Sequence, residues 1–283
     1  MHPTFFKSSP GAVMKEFRRL LPIFVGLLLL MATTVKAAPN ISSVTPLGLQ
    51  PGATTEVSLG GTELTSPLKI WTSFPAQVEF LPTSEGADDA TTAKLRLKLT
   101  ENVGVGVGAI SVAGATGVSQ LYLVVIEDAP VIVEPSPNNS LSDAALITLP
   151  AAVQASSSGT VADHFKFEAK AGQVISVDVL AARINSAMDP VVRLLAADGT
   201  ELAFADDSDG LGADARLQVK VPADGQYAVE VLDSKYAGNL PYYVRMGEFP
   251  LATTTLPASV QIGGDRDVRN SPPGAGPQTS KHE

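Results

Sequence analysis

Residues 172–210 constrain the fold of this chain more than any other stretch, because three apolar runs of period two stand there with turn signals between them. The runs are 174–180, 191–195 and 201–205. Alternation of apolar and polar residues gives a strand one face for a core and one for water. Asp189-Pro190 and Asp198-Gly199 separate the runs. Proline fixes a turn-compatible φ, and Asp-Gly between two apolar runs is a strong hairpin signal. Further runs follow at 216–221, 227–232 and 242–246, with Pro222-Ala-Asp-Gly225 turning the chain after the first of them. An antiparallel β domain with one apolar face per strand is the expectation.

Upstream, the runs 54–59, 68–72, 77–81, 93–99, 109–112 and 120–126 are short, rich in β-branched residues and divided by Gly and Pro. Runs at this spacing, with no amphipathic helical pattern between them, predict a β-sandwich. Residues 84–92 are polar and read as a surface loop. Trp71, Phe74 and Phe80 are candidates for an aromatic binding face, but Trp71 and Phe80 fall in strand-like runs, which predicts core packing. Tyr236, Tyr242 and Tyr243 surround Gly238-Asn239 and are expected to be partly exposed.

At the amino terminus, Met14-Lys-Glu-Phe-Arg-Arg19 is basic, 20–31 is apolar, and Val35-Lys36-Ala37 suits a signal peptidase. The expectation is a signal peptide over 1–37, with Met14 a candidate true start. The apolar run is short for a membrane span. With no cysteine in 283 residues, the chain has no disulfide framework, thiolate metal site or lipid-bearing cysteine. A net charge of −9 opposes binding to nucleic acid or an anionic membrane.

Two resemblances add to this reading. Ile41-Ser-Ser-Val-Thr-Pro-Leu-Gly-Leu-Gln-Pro-Gly52, followed by Thr55-Glu-Val-Ser-Leu-Gly-Gly-Thr-Glu-Leu64, resembles the opening of the immunoglobulin-like IPT/TIG module. That resemblance implies a spacer or partner-binding domain. The second rests on Pro137-Asn-Asn139, Asp163-x-Phe-x-Phe-x-Ala-x-x-Gly172, Asp189-Pro-x-x-x-Leu-x-x-x-Asp-Gly199, Asp206-Asp207 and Gly225-x-Tyr-x-x-x-Val231. These motifs resemble the bacterial pre-peptidase C-terminal domain, a jelly-roll-like β-sandwich that accompanies secreted proteases and other exported proteins.

The fold class expected is therefore all-β, with two β-sandwiches in tandem after the signal peptide, immunoglobulin-like and then jelly-roll-like. The expected segments are 1–37 signal peptide, 38–128 first sandwich, 129–140 linker, 141–249 second sandwich and 250–283 tail. In the tail, residues 257–263 with Val268 echo the spacing of 46–52 with Val57, as a truncated repeat would. Residues 270–283 have the Pro, Gly and polar content of a disordered end.

The second resemblance also implies calcium, held in some family members by the linker and a nearby aspartate. Glu134, Asn138, Asn139 and Asp163 stand at the matching positions here. Ser136 replaces a glutamate and Val161 an aspartate, and losing two negative charges weakens a site for a hard cation. Independently, residues 206–214 (DDSDGLGAD) alternate carboxylates and glycines as calcium loops do. No glutamate closes that loop at its twelfth position, where Leu217 stands, so a solvated turn is the stronger reading.

Catalytic patterns are scarce. The histidines are His2, His164 and His282, so a Ser-His-Asp device in the folded part would have to use His164, and no Gly-x-Ser-x-Gly elbow accompanies it. His164 is expected to face solvent. Gly104, Gly106 and Gly108 lack the spacing of a dinucleotide site and read as a turn into a strand. The function expected is a secreted, non-catalytic binding or accessory module for an extracellular protein or polysaccharide. The alternative is the accessory amino-terminal portion of a larger secreted hydrolase or peptidase.

Overall fold

The alternation in the sequence becomes five sheets in the structure, a computed structural model that describes residues 37–82 and 90–251 and the strands at 254–256, 267–271 and 278–281. The first nine strands are β1 (Asn40–Thr45), β2 (Gly48–Leu49), β3 (Thr54–Thr62), β4 (Lys69–Thr72), β5 (Ala76–Phe80), β6 (Thr92–Leu99), β7 (Gly106–Gly114), β8 (Gly117–Val118) and β9 (Tyr122–Ile126). One sheet runs β1-β3-β6-β5 and the other β2-β9-β7-β4, with β8 on β7. All pairs are antiparallel except β2 with β9.

Strand β6 shows why the sheets stack. Ala93, Leu95, Leu97 and Leu99 alternate inward and are buried, while Lys94 and Lys98 point to water. The buried side chains join Val57 and Leu59 on β3 and Ile110, Val112, Val124 and Ile126 on the facing sheet. Each fully buried Leu or Ile contributes on the order of 2 kcal/mol. Gly108 belongs to this packing, since a Cβ there would meet the Phe74 ring at 2.6 Å.

The second group comprises β10 (Val131–Val133), β11 (Ala151–Ser158), β12 (Asp163–Ala169), β13 (Val174–Leu180), β14 (Pro190–Ala196), β15 (Glu201–Ala205), β16 (Arg216–Lys220), β17 (Gly225–Asp233) and β18 (Gly238–Gly247). Their sheets run β10-β11-β18-β13-β16 and β12-β17-β14-β15. Phe165, Phe167, Val192, Leu194, Val229 and Val231 of one sheet meet Val153, Val177, Val179, Tyr242 and Val244 of the other. Asp198-Gly199 makes the β14–β15 hairpin turn, with Gly199 at φ +85 and the Asp198 carboxylate accepting the Thr200 N–H at 3.0 Å. The protein is thus all-β, two sandwiches in tandem; among the described residues the helical element is one 3-10 turn, η1 (Ala182–Ile184). No helix there is long and apolar enough to cross a membrane.

The Pro-rich stretch after β9 does more than connect. Val131–Val133 pairs in parallel with β11 and extends its sheet. The two sandwiches also share a packed junction. Ala152, Leu180 and Tyr243 of the second are buried in one cluster with Leu47, Leu49 and Val124 of the first and Ala129 at the start of the linker. Both faces of β13 are covered: Leu180 enters the junction, Ser176 bonds the Phe249 carbonyl, and Asp178 lies under Arg183 and Arg216. The Leu47 N–H donates to the Gln154 side-chain oxygen across the junction.

Beyond Leu251, β19 (Thr254–Leu256), β20 (Asp267–Ser271) and β21 (Gln278–Lys281) form a small antiparallel sheet, so strand is found within the segment expected to be disordered. Nearly all of the segment expected to be a signal peptide (1–37) and the echo at 257–263 lie outside the described residues, as does most of the loop read at 84–92.

Candidate functional sites

Trp71 overturns its sequence reading. On β4 the register is Lys69↔Ala113, Ile70↔Val112 and Trp71↔Ser111. Ile70 packs against the core, so alternation turns Trp71 to the outer face, where it is 54% exposed. Its strand neighbour Ser111 is small and buried, held by Ser119. On the far side of β7, Ala109 pairs with Leu123, and two residues earlier Leu121 stands 57% exposed. Val118, opposite Ala113, is exposed as well. The outer face therefore has apolar walls at Trp71, Leu121 and Val118 and a floor of small residues. Phe80 on β5 is also exposed, and Phe74 alone of the three aromatics is core. Period-two reasoning places Trp71 on one face of β4; it does not say which face meets the core.

The tyrosines depart in the opposite direction. Tyr242 and Tyr243 are completely buried, and only Tyr236 of the three is exposed. Consecutive residues on β18 point to opposite faces, and both faces of that strand are covered. Tyr242 enters the second sandwich's core and donates to the Asp163 carboxylate at 2.8 Å. Tyr243 enters the junction.

The residues implied for calcium come partly together. Glu134, Asn138 and Asp163 converge, and Asn139 is exposed. The Asn138 amide donates to Glu134 Oε1 at 2.6 Å, and the Ser156 N–H donates to Oε2 at 3.2 Å. Ser158 Oγ and Tyr242 O–H donate to the two oxygens of Asp163 at 2.9 and 2.8 Å. Burial raises both carboxyl pKa values, and for Glu134 the nearby Asp163 charge adds to the rise. Calcium needs six to eight oxygen ligands and favours carboxylates held ionised. Every carboxylate oxygen here already accepts a donor from the chain. Without an ion the set forms a hydrogen-bonded clamp on the linker.

The acid-rich loop is dispersed by the fold. Asp214 turns inward, and its carboxylate accepts the Ala181, Ala182 and Arg183 N–H groups and pairs with the Arg183 guanidinium. Asp206 and Asp207 instead approach Asp189, carboxylate oxygens of the three lying within 4.8 Å of one another. Partial burial and the charges of Asp207 and Asp189 raise the Asp206 pKa. Asp189 is already engaged by Ser234 at 2.8 Å and Lys235 at 3.1 Å.

His164 is buried, against the expectation of a solvent-facing ring. Nε2 lies 3.1 Å from Glu230 and Nδ1 3.3 Å from the Asn138 carbonyl. Both partners accept, an arrangement that favours the doubly protonated ring. The Glu230 hydrogen bond raises the His164 pKa accordingly, and that same bond lowers the pKa of Glu230. Both ring nitrogens are engaged, and His164 is the only histidine among the described residues.

The junction itself holds ionisable groups that sequence reasoning missed. Glu127 follows β9 and is 1% exposed. Its Oε1 accepts the Asp128 and Ala129 N–H groups at 2.9 and 3.0 Å. Arg245 Nε lies 3.0 Å from the same oxygen without the alignment of a hydrogen bond. The Arg245 guanidinium also reaches the Asp128 carboxylate and sits 4.1 Å over the Phe249 ring. Tyr243 O–H is buried and finds no partner among the described residues. Burial pushes the Glu127 carboxyl up to about 7 and the Tyr243 phenol far above its ordinary value.

No family model matches the chain. A stretch of 70 residues is 41% identical to a probable subtilase-type serine protease of Deinococcus radiodurans, spanning 24% of this chain and 9% of that protein. Among solved structures, the Bacteroides ovatus mixed-linkage glucan utilization locus protein SGBP-B, in complex with a heptasaccharide, aligns over 73% of this chain and 74% of its own, with TM-score 0.24 and 10% identity. The titin domains z1z2 in complex with telethonin align over 87% and 94%, with TM-score 0.22 and 11% identity. The collagen adhesin of S. aureus aligns over 76% and 97%, with TM-score 0.20 and 6% identity.

Proposed function

We propose that this chain is a non-catalytic accessory module of the exported kind, an IPT/TIG-like sandwich followed by a pre-peptidase C-terminal-like one. In this reading it attaches to an extracellular polysaccharide or protein through the outer face of its first sandwich. The exposure of Trp71 carries the proposal. Leaving a tryptophan half in water forgoes roughly 1–2 kcal/mol of burial, and interface anchors are enriched in that residue. The small floor beside Trp71 lets a flat ligand face approach the ring. The engaged state of His164 supports the non-catalytic part. The Deinococcus relative supports a second reading, in which the module serves a larger secreted peptidase.

Trp71 is the sole tryptophan, so its emission reports directly on this face. Fluorescence titration and affinity electrophoresis against a panel of glucans, xylans, chitin, collagen and other matrix proteins should find a ligand that shifts the emission. Trp71→Ala should remove binding and leave the melting temperature within about 2 °C, as surface changes do. A ligand retained at full affinity by Trp71→Ala moves the site elsewhere, and a silent panel removes the attachment role.

A further inference from the structure

The junction between the sandwiches combines three features that rarely occur together. Glu127 is buried there with one oxygen held by two backbone N–H groups. Arg245, the facing cation, lies 3.0 Å from Glu127 and is shared with Asp128 and the Phe249 ring. Tyr243 O–H is buried beside them and finds no hydrogen-bond partner among the described residues. Among the described residues, the charged and titratable groups that bear on Glu127 are Asp128, Arg245 and Tyr243. A cavity of about 510 Å³ borders the same place, lined in part by Val105, Asp128, Arg245 and Phe249.

We infer that Glu127 is a proton-operated latch between the two sandwiches, closing the junction when protonated and loosening it when ionised. The chemistry is a balance of desolvation and hydrogen bonding. Burial strips an ionised carboxylate here of most of its hydration, and its cation is shared with Asp128. Opening the junction returns water to it. A protonated carboxyl carries no charge to desolvate and supplies a hydroxyl donor beside the orphaned Tyr243 oxygen. The latch sets how firmly the first sandwich, which carries the Trp71 face, is held to the second, so it goes beyond the attachment reading and stands or falls separately from it.

The sign follows from linkage. Burial raises the Glu127 pKa from the ordinary 4.5 to about 7 in the closed state. The closed state therefore binds the proton more tightly than the open one. Junction stability is greatest below pH 4.5, declines as the pH rises from there to about 7, and is level above that. His164 works in a separate window: its raised pKa gives stability that is full below 6.5 and lost above it, through its folded value.

The reporter is the Leu47 amide, whose hydrogen bond to Gln154 crosses the junction. Hydrogen exchange of the mature chain, corrected for intrinsic pH dependence, should show Leu47 protection roughly tenfold higher at about pH 6 than at about pH 7.5. The Val179 amide, bonded to Ala215 inside the second sandwich, should change much less. Glu127→Gln keeps a carbonyl for the two backbone donors and cannot ionise, so its Leu47 protection should be level across that range. Level protection in the wild type overturns the latch, and so does an undiminished pH response in Glu127→Gln. If that variant does not fold, an equal pH response of Leu47 and Val179 in the wild type is itself enough to overturn it.

Discussion

Tyr242 and Tyr243 are adjacent on β18, equally buried, and in opposite chemical circumstances. Tyr242 closes a cluster in which Glu134, Asn138, Ser158 and Asp163 all find partners. Tyr243 stands in a junction where, among the described residues, its own oxygen finds no hydrogen-bond partner and Arg245 Nε meets Glu127 without the alignment of a hydrogen bond. A buried hydroxyl with a charged acceptor adds roughly 1.5–3 kcal/mol, whereas an unpartnered one costs about 1–3. The first cluster therefore fixes the linker against the second sandwich. The second leaves the junction held by apolar packing and weakened by polar strain. Within one strand, the chain has built one rigid contact and one adjustable one.

The sharpest way to break this contrast is at Asp163. Asp163→Ala strands the Tyr242 hydroxyl and the Ser158 hydroxyl and empties a buried volume. A loss of about 3 kcal/mol is expected, a fall of roughly 6–12 °C in melting temperature by calorimetry. A fall under 2 °C would mean that the cluster does not hold the linker.

A second, smaller effect tests the crowding at the junction. A Cβ on Gly48 would come within 2.5 Å of Tyr243 O–H and 2.9 Å of the Val131 methyls. Gly48→Ala should cost about 2 kcal/mol through overpacking. Adding Tyr243→Phe should recover part of that and no more, because Val131 remains. Strict additivity of the two changes would place Tyr243 elsewhere.

The direct comparison comes third. Tyr242→Phe should cost about 1.5 kcal/mol, because Asp163 loses a donor. Tyr243→Phe should be neutral or gain up to about 1 kcal/mol, because it removes an unpaired buried oxygen. Equal losses in chemical denaturation would mean that Tyr243 is satisfied in solution.

Much of the architecture was legible because alternation with β-branched residues leaves few alternatives to strands, and Asp198-Gly199 could do little but turn. What stayed hidden depends on which face is covered. Asp178 looks like a solvent residue in its alternating run, yet the fold buries it. Burial opposes its charge, but hydrogen bonds from Arg216 and Arg183 win and hold its pKa below the ordinary value. The arginines that neutralise it lie 38 and 5 residues away, which no local pattern announces. Trp71 misled for the converse reason, since an aromatic in a strand run signals a strand and not a side of it. Tyr243 and Glu127 were invisible because the junction joins segments more than a hundred residues apart.

The smallest effect expected concerns calcium, and it separates the partnered cluster from the exposed carboxylates. Binding to the native state alone stabilises by RT ln(1 + [L]/Kd), which is about 0.4 kcal/mol at a ligand concentration equal to Kd. Glu134 and Asp163 meet a cation with every oxygen already engaged, and Asp189, Asp206 and Asp207 meet it beside Lys235. Melts in about 5 mM calcium and in chelator should therefore differ by no more than about 1 °C. A rise of several degrees abolished by Asp163→Asn would convert the clamp into a metal site, with the Asn138 amide turned to offer its oxygen. The same rise abolished instead by Asp206→Asn would assign the ion to the loop. The partnered cluster would then remain what its hydrogen bonds make it, a rigid tie that needs no ion.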